Sequence, residues 1–96
     1  MGVRENKVER YLQERIRKIG GTTRKWVSPG ADGVPDRIVI LSRRVFFVEV
    51  KTVDGALSAV QRREHGRLKA YGANVITVYG ETDVDDFVEH LMELIT

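Results

Sequence analysis

Val8, Leu12, Ile16 and Ile19 fall on one stripe at helical spacing, and Gly20-Gly21 ends the pattern, which predicts a helix over 4–19. Residues 22–27, Thr-Thr-Arg-Lys-Trp-Val, alternate loosely and read as a short strand. Residues 29–35 are rich in Gly and Pro and form a loop. Two apolar runs follow, 36–41 and 45–51, separated by Ser42, Arg43 and Arg44 as a hairpin turn. Val53 to Leu57 is a further turn. Ser58 caps a helix reaching Tyr71, and residues 74–79 make a short buried strand. Thr82 or Asp83 caps a last helix, with Val84, Phe87, Val88, Leu91 and Leu94 on its core face.

The order is α-β-β-β-α-β-α, an α/β chain with a mixed sheet flanked by helices. No repeat or linker interrupts it, so residues 1–96 are expected to form a single domain. Trp26, Phe46 and Tyr71 are expected to pack the core, with stacking on an unpaired base left open for Trp26.

The hairpin holds charges that a core strand does not need. Alternate residues of a strand face opposite sides. Val45, Phe47, Glu49 and Lys51 therefore share one face, and Phe46, Val48 and Val50 the other. A turn centred between Arg43 and Arg44 puts Asp36 opposite Lys51, with Glu49 diagonally across. All three then meet on one side at the open end of the hairpin. A slip of one residue in the pairing would send Asp36 to the other face.

Neighbouring carboxylates repel, and partial burial adds desolvation. A hard divalent cation relieves both, and Mg²⁺ is commonly held by one or two carboxylates plus substrate phosphate. A lysine beside it can orient water or stabilise charge growing on a phosphate. Each residue alone has a plainer reading, an Asp at a strand start and an exposed Glu–Lys pair. Together on paired strands they are far more specific.

Charge alone does not decide between two readings. Residues 1–72 hold all 16 Lys and Arg and 8 of the 14 acids, while residues 73–96 hold no Lys or Arg and 6 acids. Such segregation suits a polyanion on the basic side, and equally suits charges that simply solvate helix surfaces. The chain has no cysteine, so disulfides and thiolate metal sites are excluded. No run is apolar enough to span a membrane, and no apolar leader opens the chain, so a cytoplasmic protein with no membrane partner is expected.

Pro35-Asp36 followed by Glu49-Val50-Lys51 resembles the PD-(D/E)xK nuclease superfamily. The stretches "KWVSPGADGVPDRIVI", "FFVEVK", "LSAVQRREHGRL" and "GANVITV" resemble its VRR-NUC family, in the small stand-alone form found in phages and bacteria. The resemblance covers about Glu5 to Tyr79. It implies a restriction-endonuclease-like fold and Mg²⁺-dependent hydrolysis of DNA phosphodiesters, with Mn²⁺ able to substitute. Asp36, Glu49 and the Val50 carbonyl would be metal ligands, and Lys51 would position the attacking water. Stand-alone members resemble Holliday-junction resolvases, which implies branched DNA, a homodimer, and a bacterial or phage-infected cytoplasm. The alternatives are a flap- or fork-directed nuclease, a restriction-like duplex enzyme, or a non-catalytic DNA-binding module on the same fold.

The resemblance also implies a helical glutamate at the metal. Glu9, eleven residues before Gly20, has the resolvase spacing, with Glu5 as its rival. Gln61 matches the glutamine that follows the lysine motif, yet Ser58-x-x-Gln61 is also a capping box. Lys25, Ser28 and Gly30 in and before the loop, with Arg37 and Arg62, are candidate DNA contacts. His65 and His90 read as ordinary helix residues, since no histidine pair has ligand spacing.

Overall fold

A computed structural model describes residues 3–96. Its elements are α1 (Val3–Lys18), β1 (Thr22–Lys25), β2 (Arg37–Leu41), β3 (Arg44–Lys51), α2 (Ala59–Ala70), β4 (Val75–Tyr79) and α3 (Gly80–Ile95). The element order is the one the hydrophobic pattern predicts. The strands form one sheet in the order β1-β2-β3-β4. The first three are antiparallel, and β4 runs parallel to β3 after the α2 crossover.

One sheet face carries the core. Phe46, Val48 and Val50 pack with Val39, Leu41 and Val78 against Val8, Leu12 and Ile16 of α1 and Val84, Phe87, Val88 and Leu91 of α3. A polar clasp also ties α1 to α3. The Tyr11 hydroxyl donates to Asp85 at 2.6 Å, and Arg15 pairs with the same carboxylate. The other face is covered only in part, by α2. Beyond its reach the cross-strand partners Ile40 and Val45 are 39% and 40% exposed, and the Trp26 ring leans on Phe47, centroids 5.0 Å apart. Of the two edge strands, β1 and β4, β1 is four residues long, with Arg24 and Lys25 exposed. Among the described residues no helix is long and apolar enough to cross a membrane.

Several expectations change. The hairpin turn is Ser42-Arg43, with Leu41 opposite Arg44, so its centre lies one residue before the expected place. Both turn residues have positive φ, 50° and 68°, as a two-residue type I′ turn requires. This register extrapolates to Asp36 opposite Glu49, not Lys51. Moving the turn centre by one residue shifts the pairing by two, so Asp36 stays on the Glu49 face. Replacing Ser42-Arg43 with Asn-Gly is expected to stabilise the protein by about 1 kcal/mol, because left-handed backbone costs that much at a non-glycine residue. Urea unfolding checks this.

The last helix starts earlier than Thr82 or Asp83. Gly80, at φ +78°, turns the chain straight out of β4, and Tyr79 is the N-cap. Asp83 serves that end from inside the helix, its carboxylate accepting from the Tyr79 N–H at 2.8 Å. Tyr71 lies outside the core at 92% exposure, since it ends α2 on the solvent side, and Leu94 is 38% exposed. Strand β1 stops at Lys25. The Trp26 N–H still bonds the Asp36 carbonyl at 3.0 Å, and the chain then leaves the sheet toward Pro29.

Candidate active site

Strand β3 outruns β2. Its residues 49–51 keep β4 on one side but have no β2 ladder partner on the other. The Val50 N–H on that open side would lack an acceptor, and Asp36 supplies one, its Oδ2 accepting at 2.8 Å. The side chain that ends β2 thus caps the overhang and stands beside Glu49.

Glu49 lies under α2 and is 2% exposed. The start of α2 positions its neighbours. Ser58 Oγ accepts from the Gln61 N–H at 3.1 Å, and Gln61 Oε1 accepts from the Ser58 N–H at 2.9 Å, closing the capping box. The other end of the same amide, Nε2, donates to Glu49 Oε2 at 3.3 Å. Cap and site contact, alternatives in the sequence, coexist in one side chain. Lys51 Nζ stands 3.8 Å from Glu49 Oε2, and His65 Nε2 is 3.5 Å from Oε1. Among the described residues, Glu49 Oε1 and His65 Nε2 are both buried with no hydrogen-bond partner.

The electrostatics follow from this crowding. Burial pushes the Glu49 carboxyl up to about 8, the Asp36 charge and contact push the same way, and Lys51 offsets part of the rise. Burial and the Lys69 charge lower the His65 pKa, opposed by the Gly33 backbone and by Asp36. His65 is the residue the sequence reading passed over. Its only signal was its place one helical turn after Gln61.

Helix α1 divides the roles of Glu5 and Glu9. Glu9, 7% exposed, pairs with Arg37 at 3.2 Å and lies 4.0 Å from Lys25 Nζ. Arg37 is opposite Val48, so it points to the α1 side of the sheet, away from Asp36. Glu9 therefore stands with Arg37 and not with Asp36 and Glu49. Glu5, half-buried one turn earlier, is the α1 acid whose charge bears on Glu49. Arg37 is corrected as a candidate DNA contact, because its side chain is 14% exposed and committed to Glu9. Lys25, Gly30 and Arg62 are exposed, and Ser28 is half-buried in the loop. Arg62 donates to the Leu57 carbonyl at 3.0 Å, which steadies it at the foot of α2. Among the described residues no three carboxylates or histidines are grouped as a ready metal cage. What converges is Asp36, Glu49, Lys51, Gln61 and His65.

Gln61→Glu separates the two duties of this residue. Glutamate at N3 keeps the capping box but sets a second carboxylate against Glu49 Oε2. The variant is expected to keep its helix content by circular dichroism while any catalysis at this site falls at least about tenfold, since each pKa-scale unit of repulsion is a factor of ten.

Two carboxylates and a lysine, set where the second strand of a hairpin passes the first in an α-β-β-β-α-β-α sheet, define a PD-(D/E)xK-type nuclease domain. No family model matches the chain. A solved structure titled "VRR_NUC domain" superposes with a TM-score of 0.86 at 40% identity, covering 93% of this chain and 98% of that one. The protein named "Putative nuclease p44" of Acyrthosiphon pisum secondary endosymbiont phage 1 is 46% identical over 77 residues, 79% of this chain and 83% of the relative. The chain belongs to the VRR-NUC family of nuclease domains.

Proposed function

We propose that this protein is a metal-dependent, structure-specific endodeoxyribonuclease that acts as a homodimer on branched DNA, in the manner of a Holliday-junction resolvase. The observation that carries the reading is Asp36 beside a buried Glu49, with Lys51 on the same carboxylate. The donor set fits a hard cation. It offers oxygens from two crowded carboxylates, one of them raised toward neutrality by burial, and Mg²⁺ needs only one or two carboxylates with substrate phosphate.

Asp36, Glu49 and the Val50 carbonyl would hold Mg²⁺, and Mn²⁺ would replace it. When bound, the cation supplies Lewis-acid polarisation of the scissile phosphate and a more acidic water. Lys51 stabilises charge that develops on the phosphate oxygens and orients the attacking water. Gln61 fixes Glu49 Oε2 toward the open end of β3. Ser28, Gly30 and Arg62 would meet the DNA backbone without reading sequence, and Lys25, opposite Arg37 on the α1 side of the sheet, would reach it only from the exposed β1 edge. Glu5 is the better-placed α1 acid to complete the site, and Glu9 steadies it through Arg37. Two sites related by a two-fold would cut two strands symmetrically. The exposed Ile40–Val45 pair supports a second copy of the chain. A phage-related nuclease of this kind would work in the cytoplasm of an infected bacterium.

The test is cleavage of four-way, flap and duplex DNA with Mg²⁺ or Mn²⁺, alongside mass measurement in solution. Paired symmetric nicks near the crossover and a dimer mass are expected. Preferred cutting of flaps or plain duplex by a monomer would replace the resolvase reading with one of its relatives. Tight binding without turnover on any substrate would leave a DNA-binding module.

A further inference from the structure

His65 is the one fully buried residue of α2. A helix on a sheet ordinarily docks through apolar side chains, so a histidine in that place asks for a reason. It is 3% exposed, and its Nε2 faces Glu49 Oε1 at 3.5 Å. Among the described residues neither atom has a hydrogen-bond partner. A buried polar atom with no partner costs roughly 1–3 kcal/mol, and one proton between these two satisfies both. Gln61, one turn earlier, holds the other oxygen, Oε2. Each oxygen of Glu49 is therefore addressed by its own α2 side chain, which fixes the plane of the carboxylate.

The loop before Asp36 reinforces the placement. Gly33, at φ +85°, sits so close to α2 that a Cβ there would lie 2.7 Å from the Val60 carbonyl. Only glycine lets the loop seat on the first turn of the helix, and α2 is thereby clamped between loop and sheet.

We infer that His65 is a positioning residue for the metal site: it holds Oε1 of Glu49 so that Oε2 stays turned toward Lys51 and the open end of the hairpin. This rests on the proposed metal-dependent reading. Outer groups that orient a metal ligand typically contribute about 10–100-fold in metal affinity.

The experiment measures Mn²⁺ binding by calorimetry, without DNA, for wild type, His65→Gln and His65→Leu, with thermal melts of each. Glutamine keeps an N–H near the Nε2 position. Leucine keeps the buried bulk and removes the bond. The expected result is wild-type-like affinity for His65→Gln and about 10–100-fold weaker binding for His65→Leu at a similar melting temperature. Equal affinity in all three overturns the inference, as does equal loss in both variants, which would mean packing alone. Either outcome leaves the nuclease reading standing. If wild type binds no Mn²⁺, that reading and this inference fall together. If His65→Leu does not melt cooperatively, nitrogen NMR of the two histidines decides. Glu49→Gln is expected to move the His65 Nε2 resonance and leave exposed His90 in place. An unmoved His65 resonance overturns the inference.

Discussion

Lys51→Ala is expected to fold, to retain Mn²⁺ binding, and to cleave DNA about 10²–10³-fold more slowly, the usual loss when one group aimed at developing charge is removed. The split between binding and turnover follows from where the ammonium stands. The side chain is 14% exposed and its Nζ lies 3.8 Å from Glu49 Oε2, so it borders the carboxylates without ordering them. Asp36 instead caps the Val50 N–H, and Gln61 and His65 hold Glu49. Those contacts survive the loss of Lys51. Lys51→Arg is not expected to restore the rate, because a planar guanidinium places its donors differently from a point charge. The measurement is single-turnover cleavage of a branched substrate at saturating Mg²⁺, with Mn²⁺ affinity in parallel. Unchanged cleavage in Lys51→Ala, or in Asp36→Ala, removes the proposed chemistry.

The second large effect is on stability. Glu49 titrates near 8 in the folded metal-free protein, against an ordinary value of 4.5. Between those values the folded chain carries a proton that the unfolded chain has released. Stability therefore falls with rising pH across that window. The Glu49 contribution is complete below 4.5 and gone once pH has passed through about 8. A shift of this kind is worth on the order of a few kcal/mol, so the melting temperature of the metal-free protein should drop by at least about 5 °C. Glu49→Gln should flatten this dependence, because the amide has no proton to lose. His65 acts in the opposite sense. Its lowered pKa gives a contribution that is complete above 6.5 and shrinks as pH falls. The comparison with Glu49→Gln isolates the carboxyl. Added Mg²⁺ should restore stability most above about pH 8, where no proton competes for Glu49, and near neutral pH its binding should release a proton, which calorimetry in buffers of different ionisation enthalpy reads directly. A pH-independent melt in wild type would show that Glu49 is not held in the protonated, crowded state described.

The faces of the hairpin were legible from alternation, and its pairing was not. The period of two assigns Phe46, Val48 and Val50 to the core and Glu49 to the opposite side, and packing keeps that assignment. The turn depends instead on the backbone of Ser42 and Arg43, which take left-handed angles that nothing in their side chains favours. Parity protected the site, since a centre displaced by one whole residue changes the pairing by two. A helical wheel also could not rank Glu5 against Glu9. That choice is made by how far α1 is slid along the sheet, a tertiary quantity. The same alternation did hold an unread clue: Arg37 falls on the core side and needs an acid there, and Glu9 is that acid. His65 stayed hidden because burial of one histidine depends on the docking of α2, which carries no buried apolar residue to announce itself.

The β1 edge of the sheet bears on how two copies could meet. Open strands invite other strands, and proteins blunt them with short length and charge. β1 has only four residues and shows Arg24 and Lys25 to solvent. Two such edges brought together would set like charges side by side and gain few backbone bonds. A chain built this way resists joining sheet to sheet through β1 into open-ended stacks. A closed pair would therefore form through surfaces other than the β1 edge.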